Sequence, residues 1–402
     1  MQQDKKKAVL FLISQAVTLF GSSVVQFAIV WYVTLQTSSG AWVSALTIAA
    51  YVPQFVISFF SGVWADRYPR KRLIIWADAT IALATLALAL LLPYLGEGTL
   101  LLAALVVISV IRSIGTGIQT PAVNAAIPQL VSEDKLMKFN GVNATIQSLV
   151  QFAAPAVAGA VLSLGTLRET LLIDIATAVV GIGILSAVAM PFTKLEEAPS
   201  MLTEMKAGFG YAVKDSFVGP LLLLFGLFIF LCVPAGFLAT LFVSRQYGDT
   251  YWYLTLVEVI GFIGMTAGGL LIGAWGGFAN RVKTLVVGMI AFGALAIGMG
   301  AVDNFIVYLV LMAVYGVALT MVQTASTTLL QENAAPEMQG RVFGLFGAMY
   351  AGFLPLGMAV FGPLSDRVSM RLLMIVSGAL LLVMAVVVLL NRQFYLRGQK
   401  KA

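Results

Sequence analysis

Gly62-Val-Trp-Ala-Asp66-Arg67-Tyr-Pro-Arg70-Lys71-Arg72 stands between two long apolar runs. Four cations and one carboxylate, in a loop too short to be a domain, cannot enter lipid. The sequence on either side can. Such a cluster reads as the turn of a hairpin of membrane helices, and its cations place it on the cytoplasmic side.

The rest of the chain agrees with that reading. Of its 402 residues, 60% are hydrophobic and 10% are charged, against roughly 25% charged in a soluble domain. The net charge of +6 is not a nucleic-acid signal, because the cations gather at the ends of apolar segments. Cys232 is the single cysteine, and there is no histidine. That excludes a disulfide framework and a Cys-based metal site. It also removes the side chain that ordinarily titrates near neutral pH, so proton chemistry falls to carboxylates. No cofactor is expected. No Gly-x-x-x-x-Gly-Lys-Ser/Thr run is present to drive an ATP pump. No paired-Asp or Ser–Lys motif lies within the apolar segments, so an intramembrane enzyme is disfavoured.

A helix needs about 20 apolar residues to cross the hydrocarbon core. Twelve segments qualify, approximately 8–35, 42–65, 73–93, 99–128, 139–164, 170–190, 217–243, 251–275, 283–302, 305–330, 341–363 and 370–391. The first reads as an uncleaved helix, since no small-residue cleavage site follows Lys7. The charged stretch 191–216 divides the spans six and six, and its middle reads as a surface helix. The expected organisation is therefore all-α: a six-helix bundle over 1–190, a cytoplasmic linker over 191–216 and a second bundle over 217–402. With the N-terminus inside, nineteen of the 24 Lys and Arg residues lie in cytoplasmic segments, whereas Arg168, Arg245, Arg367 and Arg371 lie outside. This asymmetry predicts that both termini are cytoplasmic.

The halves repeat weakly. Gly117-Ile-Gln119-Thr120 in span 4 matches Met321-Val-Gln323-Thr324 in span 10, and Gly141 and Gly159 in span 5 match Gly344 and Gly362 in span 11. Gly62-Val-Trp64 through Arg70 has a worn counterpart in Gly273-Ala-Trp275 through Arg281, where Gly277 replaces the acid of Asp66.

The spacing Gly62-x-x-x-Asp66-Arg67-x-x-Arg70-Lys71 resembles the loop 2–3 signature of the major facilitator superfamily, with Pro69 where that family usually has Gly. Arg112-Ser-Ile-Gly-Thr, Thr120-Pro-Ala-Val-Asn124-Ala and Gly340-Arg341-Val-Phe343 resemble its macrolide-efflux branch. That branch also resembles siderophore exporters and lysophospholipid flippases. The resemblance implies two pseudo-symmetric six-helix bundles that rock around a midplane site. It implies a secondary transporter in the bacterial inner (plasma) membrane that exports amphiphilic small molecules, macrolide-like drugs first, in exchange for protons. Membrane lipid surrounds it, and a monomer is expected.

Four residues are candidates for proton coupling. Glu258, about a third of the way into span 8, is too deep to stay ionised cheaply, so it should hold a proton part of the time. Its alternative is a packing hydrogen bond. Asp174 in span 6 is a second proton or cation site, or an interface residue near Arg168. Asp78 in span 3 is a further candidate, or an ion-pair partner of the loop cations. Arg112 never deprotonates and needs a carboxylate or carbonyl partner; the resemblance ties it to coupling. The resemblance also makes Gly62, Asp66, Arg67, Arg70 and Lys71 a gating motif, with Asp66 facing the start of span 11 near Gly340 to Phe343, where the helix dipole favours an anion. Polar stripes mark candidate cavity walls: Gln15, Ser22 and Gln26 on span 1, Gln119 and Asn124 on span 4, Asn143, Gln147 and Gln151 on span 5, and Gln323 and Thr327 on span 10. Phe225, Phe228, Phe230 and Phe237 on span 7, with Tyr350 and Phe353 on span 11, could supply an apolar wall. Uncharged polar groups also join helices, so each has a packing alternative.

Overall fold

The computed structural model describes residues 2–131, 133–190 and 201–399. Among these, twelve helices are long and apolar enough to cross a membrane, from Lys6–Thr37 to Met370–Leu390. The chain forms two compact units, one of Met1–Gln36 with Ala45–Pro199 and one of Thr37–Ser44 with Ser200–Ala402. Their outer surfaces carry exposed apolar side chains such as Leu83, Leu90, Val179, Leu270 and Leu390. Such a surface suits lipid and not water.

The helices of the first unit are α1 (Gln2–Thr37), α2 (Gly40–Arg67), α3 (Arg70–Leu95), α4 (Thr99–Leu130), α5 (Glu133–Leu164) and α6 (Leu167–Ala187). Lipid gives apolar faces little reason to associate, so close backbone approach and buried polar contacts must hold them together. Small residues supply the approach. A Cβ on Gly21 of α1 would lie 1.8 Å from Thr177 Oγ1 of α6, and one on Gly181 of α6 would lie 2.3 Å from Thr18 Cγ2 of α1. Pro53 sits inside α2 and has no N–H to give. One residue on, Ser113 of α4 enters the α2 ladder: its hydroxyl donates to Ala50 O at 2.6 Å and accepts from Gln54 N at 2.8 Å. An inserted hydroxyl beside a proline is a recognised cause of helix bending. Helix α6 starts at a capping box, in which Thr166 Oγ1 accepts from Arg168 N and Glu169 accepts from Thr166 N.

In the second unit, α7 (Met201–Lys214) is followed by α8 (Val218–Cys232), a π-helical turn at Val233–Phe237 and α9 (Ala239–Gln246). The last three form one span, Val218–Gln246. Pro234 opens the widened turn and cannot donate to a regular α-ladder. Next come α10 (Tyr251–Trp275), α11 (Arg281–Ala301), α12 (Phe305–Asn333), α13 (Gln339–Ser365), α14 (Met370–Leu390) and the short α15 (Arg392–Arg397). Helices α10 and α12 meet along a glycine seam: a Cβ on Gly264 would lie 2.0 Å from Ala313 O, and one on Gly316 would lie 2.6 Å from Gly261 O. Gly293 of α11 and Gly378 of α14 approach each other in the same way. Helices α8 and α13 join through aromatics, with Phe225 stacked on Phe346 at 4.0 Å between centroids and Phe230 against Phe361 at 5.1 Å.

Thr37–Ser44, which includes the first turn of α2, is held by Asp366 just past α13. The Asp366 carboxylate accepts from Gly40 N at 2.7 Å, Ala41 N at 3.0 Å and Ser39 Oγ at 2.9 Å. Arg245 pairs with it at 2.7 Å. A carboxylate across the open amides of a helix start is a strong cap. Burial alone would push this carboxyl up, but the Ala41, Gly40 and Ser39 donors and Arg245 outweigh it and hold the carboxyl below its ordinary value.

Gly264→Ala forces α10 and α12 apart and lowers the thermal midpoint, at an overpacking cost of about 1–3 kcal/mol. Gly269→Ala, with nothing within 4 Å of its Cβ position, leaves the midpoint unchanged or raises it. For Asp366, the folded form binds a proton less readily than the unfolded chain. Its contribution is complete above the ordinary carboxylate range and fades as pH falls through the depressed value. The melting difference between wild type and Asp366→Asn should be largest near neutrality and shrink toward pH 3.

Candidate functional site

The polar residues of the first unit form two layers. In one layer, the Arg112 guanidinium of α4 pairs with Asp174 of α6, and the two side chains are 6% and 2% exposed. Arg112 also donates to Thr85 of α3 and to Ser22 O of α1, the latter at 3.2 Å. Asp174 takes further hydrogen bonds from Thr85 at 2.9 Å and Ser22 at 3.2 Å. Four helices thus meet on one ion pair whose carboxylate has three side-chain donors. The sequence leaves Asp174 open between a site and an interface with Arg168; the structure pairs it with Arg112. It also supplies both partner types expected for Arg112, a carboxylate and a carbonyl.

Seven residues along each of three helices lies the other layer. Gln119 of α4 donates to Asp78 of α3 at 3.2 Å and to Gln15 of α1 at 3.3 Å. Gln15 in turn donates to Ser14, whose hydroxyl donates to Gly181 O of α6 at 3.0 Å. Seven residues rise about 10 Å along a helix. The pairs Gln15/Ser22, Asp78/Thr85 and Arg112/Gln119 therefore repeat the same level twice. Between the layers sits Gly115, where a Cβ would lie 2.6 Å from Ile81 Cγ1 and 3.3 Å from Ala77 O. Its missing side chain lets α3 and α4 close and keeps the levels in register. Thr85 is the participant that inspection of single residues misses; the shared seven-residue spacing is the signal that finds it. Asp78 is 4% exposed, and its Oδ2 has no hydrogen-bond partner among the described residues.

The signature loop acts as a clasp on helix ends. Arg70 donates to Ala65 O of α2 at 3.0 Å and to Ala125 O of α4 at 2.6 Å. Lys71 donates to Ser186 O and Val188 O at the end of α6, at 2.7 and 2.8 Å. Cations are favoured at such carbonyl-rich ends. The worn repeat keeps this device: Arg281 donates to Gly276 O at 2.7 Å, again five residues back, and pairs with Glu332 of α12 at 3.4 Å. Arg67 is exposed. The surroundings of Gly62 and the side chain of Asp66 lie outside the described residues, as does the expected Asp66 contact.

In the second unit, Glu258 is half-buried on α10 and carries no hydrogen bond or ion pair among the described residues. Nearby on α12, Tyr308 and Tyr315 are 0% and 3% exposed, with hydroxyls unpaired among the described residues. On α5, Asn143 is half-buried while Gln147 and Gln151 are exposed; Asn124 of α4 is exposed, and Gln26, Gln323 and Tyr350 are half-buried. Tyr350 meets Phe237 edge-on at 6.5 Å.

Twelve candidate spans in two units, with an ion pair at span depth, define a multi-pass membrane protein. The chain belongs to the major facilitator superfamily, whose model matches residues 11–356. It is 30% identical over 380 residues, 93% of both chains, to Macrolide efflux protein A of Streptococcus pyogenes. It is 28% identical over 346 residues to the Enterobactin exporter EntS of Shigella dysenteriae, covering 84% of this chain and 80% of that one. Its fold resembles that of a bacterial homolog to the human lysosomal transporter Spinster, with a TM-score of 0.76 and 13% identity over 99% of both chains. The protein is thus a transporter of small molecules in the plasma membrane and not an enzyme.

Breaking a buried pair by removing one partner costs about 3–5 kcal/mol, because the other charge is left bare. Asp174→Asn should lower the thermal midpoint by several degrees in detergent. Arg112→Leu combined with Asp174→Leu should recover most of that loss.

Proposed function

We propose that the protein exports amphiphilic small molecules, macrolide-like drugs first among them, by proton antiport. The substrate class is supported by 30% identity to Macrolide efflux protein A across 93% of both chains. Proton coupling is supported by one observation. Three acids stand deep in the spans, Asp78 and Asp174 in one unit and Glu258 in the other, and Arg112 pairs with Asp174 in the first. Carboxylates without a full set of counter-charges at such depth are expensive, so they take up protons. With no histidine in the chain, the exchange of protons between the two aqueous phases falls to acids at this depth. The candidates for coupling in this reading are Asp78 and Glu258, with Asp174 and Arg112 as the ion pair beside Asp78.

Both termini face the cytoplasm, as the distribution of Lys and Arg suggests. The 1–190 and 217–402 bundles, joined by the 191–216 linker, alternate access to the substrate. The loop Gly62, Asp66, Arg67, Arg70 and Lys71 gates the inner side. Gln15, Gln26, Gln119, Asn124, Asn143, Gln147, Gln151, Gln323 and Tyr350 line the path of the substrate, and the exposed stripe of α5 fits a helix face turned to water. The chain works as a monomer surrounded by lipid. A siderophore exporter is the second reading, supported by the likeness to the Enterobactin exporter EntS.

Proteoliposomes with an imposed pH gradient test the reading, with radiolabelled erythromycin as probe and enterobactin as the alternative. Wild type should accumulate erythromycin in the direction set by the gradient, and Glu258→Gln should reduce that accumulation at least tenfold. Movement of erythromycin indifferent to the gradient would end the antiport proposal. Movement of enterobactin alone would transfer the function to the second reading.

A further inference from the structure

We infer that Asp78 is the residue of the first unit that takes up and releases the proton, that Gln119 and Gln15 position it, and that Asp174 with Arg112 is a fixed ion pair that stays charged throughout. The use of this proton in transport rests on the antiport reading above; the site itself rests on geometry.

The two carboxylates are unlike. Asp174 has Arg112, Thr85 and Ser22 as donors, and its oxygens are satisfied as an anion. Protonating it would strand a guanidinium that cannot lose its own proton. Asp78 has one donor, the Gln119 amide on Oδ1, and leaves Oδ2 bare while 4% exposed. A buried anion with one neutral donor is unfavourable; a buried acid with one O–H is not. Charge counting gives the same answer. Around Asp78, α4 brings Arg112, α6 brings Asp174, and α1 brings the uncharged Gln15 with Lys7 two turns beyond. On its own helix, Arg70 and Lys71 are engaged with the carbonyls of helix ends and Arg72 is exposed. One cation and two carboxylates are neutral when one proton is held, and that proton belongs on the acid that no cation contacts. The step balances simply. Asp78 forms one O–H bond with a proton from water and later returns that proton to water, so the cluster alternates between charges of 0 and −1.

Gln119 connects this exchange to the rest of the unit. Its Nε2 bridges Asp78 and Gln15, and its helix carries Arg112 about 10 Å away along the axis. A change of charge on Asp78 therefore alters a hydrogen bond that links α1, α3 and α4.

Infrared difference spectroscopy against pH reads the proton directly, without substrate or gradient. Glu258→Gln serves as the parent, so that the acid of the second unit does not contribute. The parent should show a protonated-carboxyl band that titrates. Asp78→Asn should abolish it, with elution and melting close to the parent, and Asp78→Glu should move it. Gln119→Leu should shift both its position and its midpoint without removing it, a response that a packing role for Gln119 would not give. If the Asp78→Asn and parent spectra superimpose over the pH range, the assignment is overturned. If Asp78→Asn does not fold, an Asp78→Glu band unmoved from the parent overturns it equally. An Asp78 band that titrates in a protein whose transport ignores the pH gradient overturns the antiport reading and leaves the proton site standing.

Discussion

An arginine buried at the depth of a bilayer must be answered, and the first unit is built around the answer. Arg112 cannot neutralise itself, so α6 has to bring Asp174 to it, and α1 and α3 have to bring Ser22 and Thr85 to complete the shell. Each of those contacts fixes the height and rotation of one helix. The small residues then have specific work. Gly21 and Gly181 let α1 and α6 come close enough for Ser22 to reach Asp174, and Gly115 does the same for α3 and α4. The lipid environment makes this the organising term, since apolar faces gain little from one another there.

The second unit solves the same packing problem without a fully buried ion pair among the described residues. Its contacts run through the glycine seam of α10 and α12, the Gly293–Gly378 crossing and the stacked phenylalanines of α8 and α13. Its deep acid, Glu258, has no shell comparable to that of Asp174 among the described residues. The weak repeat in the sequence therefore conceals a division of labour. What both units retain is the arginine after the second helix of each repeat, which binds a carbonyl five residues back.

Much of the fold was legible because the membrane enforces a simple rule. Runs of apolar residues gave twelve spans, and all but one of the observed span ends fall within five residues of the expected bounds. The candidate site was legible one residue at a time: Arg112, Asp174, Asp78, Gln119 and Gln15 all announce themselves as polar groups in apolar runs. Which of them touch was not legible, because partners come from helices that are far apart in sequence. The seven-residue spacing on three helices carried that information, but only when the helices are laid side by side. Thr85 was lost among ordinary hydroxyls, and Asp366 carried no local sign of the helix start it caps.

The Asp366 cap has a consequence for how the chain is made. The amide of Gly40 is synthesised 326 residues before the carboxylate that receives it. At roughly 5–20 residues per second, that gap is on the order of half a minute. During that time the beginning of the second helix must wait in the bilayer with its first amides unanswered, except by water at the surface. The emerging chain therefore completes the cap of its second helix only after its eleventh crossing has been made. A nascent protein halted after the first six would lack the cap for one of its own helices.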